Sequence, residues 1–446
     1  MMRRCCILGA LAALLGGALP ARAQESPLDP PPRASEFFDL TLEEMLAIDM
    51  GAKAQRKAAL YGFLRTNVEK VWHVPELDAQ GRTRFDSDPL EWSLPAFHLY
   101  GAAKLIPSVD VLFNLAGSDT GLEVRNAYGN LKLHEAVQLR LGRQYRRFDL
   151  FNDKLDQTPA ILGIEPPELF DQDHLLLPRT TLACLHGRHP LSSDLWFFYA
   201  LTTDNGEAGA EAEVIPIGWD FRVKGANLVA GTSGFASSLA GGRTSPSVAV
   251  GQGAPAGGIV PWMRDDRYFV VGAFVELERH GLLLQGSYFQ ARHDGRRDPD
   301  RVLEVVRGAG LIPSQRARFL GPGAAKADPD LLPQDVIVGA SYVVHTFYVR
   351  AGYSIPSSIG TFTPYAFIDW MKHPEAIRAK SFGGDNEAGF ADDGEFWKPS
   401  LGVVYNPIAE LALKLDGSAH VQTFNGRTEL YPEVRFDAAF AFKLLD

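Results

Sequence analysis

Seven acids stand close together between Phe148 and Arg179: Asp149, Asp153, Asp156, Glu165, Glu168, Asp171 and Asp173, with Lys154 as the lysine among them. Carboxylates at that density can draw cations toward a passage, or simply keep an exposed loop in water. Catalytic candidates are weaker. Gly231 to Phe235 comes nearest to a nucleophile elbow, but it lacks the second glycine and lies in a strand-like run rather than a strand-to-helix turn. His186 and His189 are spaced as a metal pair could be, yet they fall at an expected short turn with no third ligand nearby in sequence. No phosphate-binding loop, HExxH motif or dinucleotide fingerprint is present. The expectation is a protein that is not an enzyme and takes neither cofactor nor metal.

The remaining charges alternate with apolar residues. From Ala59 onward the chain shows almost no helical period and many period-two runs, which read as sixteen strands. They include Leu60 to Trp72, Trp92 to Ala103, Val137 to Arg147, Thr180 to Gly187, Tyr268 to Arg279 and Val336 to Ile355, the last with a suspected break near His345. Connections alternate short and long, as in a barrel with tight periplasmic turns and long external loops. Trp72, Trp92, Trp219, Trp370 and Trp397 fall at strand ends on the long-loop side, where a membrane interface suits indole. If the apolar faces meet lipid, the opposite faces line a water-filled interior. Its candidate pore-lining residues are Arg65, Glu69, Arg140, Arg222, Lys224, Arg350, Lys414, Asp416 and Arg435.

The last run, Leu430 to Leu444, is the clearest. Leu430, Pro432, Val434, Phe436, Ala438, Phe440, Phe442 and Leu444 form one face, and Tyr431, Glu433, Arg435, Asp437, Ala439, Ala441 and Lys443 the other. It is longer than the nine to eleven or so residues that a tilted strand needs to cross a bilayer. This stretch resembles the closing strand of bacterial outer-membrane porins, whose aromatic end is read by the outer-membrane assembly machinery; here the chain continues past Phe442 to Asp446. VQLRLGRQYRRF (Val137 to Phe148) and TPYAFIDW (Thr363 to Trp370) resemble phosphate-selective porins of the O and P type. No basic ladder of the kind phosphate capture needs is visible, so the resemblance carries the fold and not the phosphate specificity. It also implies that the third loop, with its seven acids, folds into the pore opposite basic wall residues such as Arg65, Arg350, Lys414 and Arg435, and sorts solutes by charge. A homotrimer is implied in the same way.

Met1 to Ala23 reads as a secretory signal, with Arg3 and Arg4, an apolar core from Ile7 to Leu19 and the small-residue site Ala21-Arg22-Ala23. Cys184 is then the one cysteine left, so no internal disulfide is expected. Residues 24–58 read as a Pro-rich tether followed by a short amphipathic helix from Asp39 to Ile48, at the barrel's periplasmic end or inserted in its lumen. Residues 59–446 read as one transmembrane barrel. Removing Arg3, Arg4 and Arg22 leaves 44 − 3 = 41 basic against 54 acidic residues, a poor balance for nucleic acid. The expected function is passive diffusion of small hydrophilic solutes and ions across the cell outer membrane, in contact with its lipid. Alternatives are a substrate-specific channel for an organic anion, phosphate or oligosaccharide, and a non-conducting structural barrel.

Overall fold

The structure, a computed structural model, describes residues 58–77, 83–93, 96–118, 121–152, 161–170, 179–204, 215–239, 260, 262–377, 389 and 391–445. The described residues belong to one compact unit. The expected signal peptide, the short helix and all of the tether but Ala58 lie outside the described residues.

Sixteen long strands make up the described chain. They are β1 (Ala58–Val71), β2 (Ala96–Ile106), β3 (Val109–Ser118), β4 (Gly121–His134), β5 (Val137–Tyr145) and β6 (Arg179–Pro190). Next come β7 (Trp196–Asp204), β8 (Ile217–Lys224), β9 (Leu228–Leu239), β10 (Met263–Arg279) and β11 (Leu282–Arg297). The series ends with β12 (Gly339–Tyr353), β13 (Gly360–Lys372), β14 (Glu395–Ile408), β15 (Leu411–Phe424) and β16 (Arg427–Leu445). Each pairs antiparallel with its sequence neighbours, and β1 pairs with both β2 and β16, so the sheet closes into a sixteen-stranded barrel. Closure gives every strand of the barrel a neighbour on both sides, the condition for placing strands where no water reaches the backbone.

Alternation decides which face each residue takes. On β16, Phe436 and Phe440 are 41% and 44% exposed, while Asp437 and Ala439 between them are 0% exposed. The same outward exposure recurs at Leu64, Phe97, Leu141, Leu185, Leu201, Ile368 and Leu415 around the barrel. An apolar belt of that extent on a protein in water would aggregate; in hydrocarbon it is at home. Aromatic residues gather at the long-loop end of the belt. Trp370 lies 5.4 Å from Phe347 and 5.9 Å from Trp397, and its Nε1 donates to Glu395 at 3.1 Å.

The structure departs from the sequence reading in several connections. The last hairpin is tighter than expected: β15 and β16 meet at Asn425 and Gly426, both with positive φ (51° and 70°), the two-residue turn that matches strand twist. His280 and Gly281 turn β10 into β11 the same way. The loop after β1 holds a small hairpin (Val74–Leu77 with Thr83–Asp86), and Trp92 sits in a two-residue piece that pairs with β1, ahead of β2. His189 lies inside β6, not in a turn. β12 runs through His345 without a break; its interruption comes at Ser354, before Ile355–Ser357. The largest departure is the connection from β11 to β12, expected as an irregular loop. It folds α1 (Pro299–Gly308) and α2 (Pro313–Leu320). Asp298 caps α1 with a carboxylate that accepts from the amides of Asp300 and Arg301, Pro299 stands in the first turn, and Val302, Leu303, Val305 and Val306 are buried. Arg297 binds Glu375 through two bonds (2.6 and 3.2 Å), tying this segment to the β13–β14 loop. Burial opposes ionisation of Glu375, but Arg318 and Arg297 outweigh it and hold the carboxyl below its ordinary value.

Candidate functional site: a loop anchored inside the barrel

The segment after β5 turns back against inward-facing side chains. Asp149 makes the elbow, with φ +56°, a conformation that Asp tolerates better than most residues. Its amide donates to Ser233 Oγ (3.0 Å) on β9, its carbonyl accepts from Arg222 (2.8 Å) on β8, and its carboxylate accepts from Tyr348 Oη (2.7 Å) on β12. Burial pushes the Asp149 carboxyl up to about 7, against the lowering effects of the Tyr348 bond and of Arg222.

Farther along, five successive main-chain carbonyls are met by three cations. Lys414 Nζ donates to the oxygens of Ile161 (2.6 Å) and Gly163 (2.9 Å). Arg350 donates to those of Leu162 (2.6 Å) and Glu165 (2.8 Å), and Arg65 to that of Ile164 (3.3 Å). A strip without helix or sheet has no internal partners for these oxygens, and buried carbonyls must find donors. The wall supplies donors as charged side chains, and the carbonyl dipoles in turn stabilise charges that are themselves buried. Gly163, at φ +100°, lets the strip turn between its two arginine-bound neighbours, Leu162 and Ile164. The amides are held as well: Ile164 donates to Asp416 (3.3 Å) and Glu168 to Asp369 (2.6 Å).

The loop acids bind the wall directly. Lys398 on β14 reaches both Glu165 (2.6 Å) and Glu168 (2.8 Å), and Arg435 contacts Glu165, Glu69 and Glu433. Around the contact, Arg65 pairs with Asp437 (3.0 Å) and Tyr365 donates to Asp416 (2.8 Å). Beside the charges lies an apolar core: Phe148, Phe151, Leu169 and Phe170 of the loop pack with Phe235, Phe274, Phe289, Tyr348, Phe367 and Phe396 from the inward rows of β9 to β14. The inward rows of β3 to β6 differ. They present Asn114, Asn130, Gln138, Arg140, Gln144 and His186. Asn130 donates to Gln138 (3.0 Å) and lies 3.0 Å from His186 Nε2, and the Arg140 guanidinium lies 5.0 Å from the Tyr128 ring centre.

Of the residues singled out in the sequence, Arg65, Glu69, Arg222, Arg350, Lys414, Asp416 and Arg435 come together with Asp149, Glu165 and Glu168 at this contact. Arg140 is on the polar wall, and Lys224 is exposed at the end of β8. Asp153, Asp156, Asp171 and Asp173 lie outside the described residues. Two expectations change. The basic residues opposite the loop touch it directly, and the inward rows of β9 to β14 set aromatic and aliphatic side chains among polar ones such as Ser233, Asp266, Ser287, His293, Thr346 and Asp369. A strip lacking its own secondary structure needs side-chain donors and an apolar bed to stay fixed. Sequence reasoning missed Lys398, Tyr348 and Ser233. Lys398 had a readable signal, as the charged residue on the inward parity between Trp397 and Pro399.

No family description matches the chain, and no curated protein matches it in sequence. Solved structures do share the fold. An anion-selective porin from Comamonas acidovorans superposes with a TM-score of 0.50 at 14% identity, covering 86% of this chain and 99% of its own. OprB of Pseudomonas putida gives 0.50 at 9% identity, covering 89% and 96%.

Proposed function

We propose that this barrel is an outer-membrane channel for passive diffusion of small hydrophilic solutes and ions, exported by the signal at Met1 to Ala23. The observation that carries the reading is the anchored strip. A closed barrel with an apolar outer belt has a loop fastened inside it at named charged contacts, and the polar rows of β3 to β6 stand apart from those contacts. Solutes pass between the loop and that polar wall, sorted first by size. A fixed loop supports passive flow because the width of the passage is set by contacts that do not change as a solute goes by. The homotrimer, by resemblance to sixteen-stranded porins, belongs to the same reading.

Charge selection is assigned to the acids of this loop. Glu165 and Glu168 are paired with Lys398, and the Asp149 carboxylate is held by Tyr348. Asp153, Asp156, Asp171 and Asp173, the other acids of the same loop, are assigned the mild cation preference. Replacing these four by Asn should move the reversal potential under a salt gradient toward zero or past it. An unchanged reversal potential would place the four carboxylates away from the ion path.

A further inference from the structure

The charges described so far face inward. A second set faces the other way. On β10 and β11, Arg267, Arg292 and Arg296 lie on the outward parity and are exposed, and Arg264 is exposed where the β10–β11 register shifts. In the ladder Arg267 stands opposite Asp294, Arg292 opposite Phe269, and Arg296 opposite Asp265. Arg292 and Arg296 are four residues apart on one strand, about 13 Å. The patch therefore carries four arginines and two acids, Asp265 and Asp294, the latter accepting from Ser341 Oγ at 2.8 Å. Arg264, Arg292 and Arg296 form no ion pair among the described residues. Lys372, at the same end of β13, is by contrast paired with Asp393 and Glu395.

Position gives the patch its meaning. At its lower edge along the strands come outward aromatics: Phe269, opposite Arg292 and 5.7 Å from Trp219, and Tyr288, whose hydroxyl lies 2.8 Å from His345 Nδ1. Aromatic rings of this kind mark the edge of the hydrocarbon, so Arg292, level with Phe269, and the arginines beyond it sit at headgroup height on the long-loop side. Exposed guanidiniums there, excess to the local acids, are donors for phosphate oxygens, which they grip two at a time. We infer that this face of β10 and β11 binds the phosphates of an anionic lipid in the external leaflet. The inference rests on the outer-membrane channel reading, which sets which end faces outward.

The test uses the refolded mature chain in detergent and a diacyl- or polyacyl-glycolipid carrying phosphate groups, with its dephosphorylated form as comparison, and native mass spectrometry to count bound lipid. The variant R264Q/R267Q/R292Q/R296Q removes the patch, and R279Q, an exposed arginine at the opposite end of β10, is the control. Removing four positive charges should weaken retention of the phosphorylated lipid on the order of a thousandfold. R279Q and the dephosphorylated lipid should show no such dependence on the patch. If the fourfold variant does not refold, R292Q/R296Q is read in its place. Equal retention of the phosphorylated lipid by wild type and variant overturns the inference. So does full competition by millimolar inorganic phosphate, which would make this a free-phosphate site. Channel activity of the same preparations separates the two ideas. Conductance retained with lipid binding unaltered removes the lipid site alone, whereas a chain that does not enter bilayers removes both.

Discussion

The three contacts on Asp149 and the two on Lys398 fix the loop at its elbow and at its far end. Each makes a separate expectation. The Asp149 carboxyl is raised from 3.8 to about 7 by burial, so the folded protein keeps a proton that the unfolded chain gives up over that interval. Its contribution is therefore fully present below about pH 4, declines as pH rises toward 7 and is constant above, a span on the order of 4 kcal/mol. D149N can keep a partner for Tyr348 but cannot ionise. Its stability relative to wild type should accordingly rise between pH 4 and pH 7 and then level off. A constant difference across that range would show that the elbow carboxyl does not titrate there. K398M leaves Glu168 buried without its ammonium, and breaking such a pair costs about 3–5 kcal/mol, most of it recovered in K398M/E168Q. Denaturant unfolding reads both; a loss below about 0.5 kcal/mol would mean the pair is solvated. Little of this was legible beforehand. Alternation placed Arg65, Arg350, Lys414 and Arg435 on the inward side. Their partners on the loop were hidden, because an irregular strip carries no periodic signal for where its oxygens point.

Strands were the most readable elements, since one face of most of them meets an apolar surrounding and the other does not. β16 shows this best, and the count of sixteen came from the period-two runs. A438R tests the outward assignment. Ala438 lies between Phe436 and Phe440 on the exposed parity, and an arginine there should cost about 2–4 kcal/mol in a folding titration near the bilayer midplane. A cost near zero would put that face against water. Reading failed where both faces are apolar. On β10 the outward Phe269, Val275 and Leu277 alternate with inward Val270 and Phe274, and a period of two cannot tell lipid from a buried loop. It failed again at α1, whose Asp298 cap and Pro299 were present in the sequence but stood in a stretch read only as a long connection.

At the scale of the whole barrel the interior is divided. One side is occupied by the strip and its apolar bed on β9 to β14, with the cations of β12, β14, β15, β16 and β1 along it. Across from it stand the amides, His186 and Arg140 of β3 to β6. On the proposed reading, fastening the loop to one wall leaves the passage to the other, and this division is the basis for reading the molecule as a narrow channel instead of a filled structural barrel. Single-channel current from the refolded mature chain in a planar bilayer under a salt gradient tests that most directly. Discrete ohmic steps, with a reversal potential of the sign that favours cations, are the predicted result. Stable insertion without current would contradict it, and would mean that the loop closes the barrel rather than narrowing it.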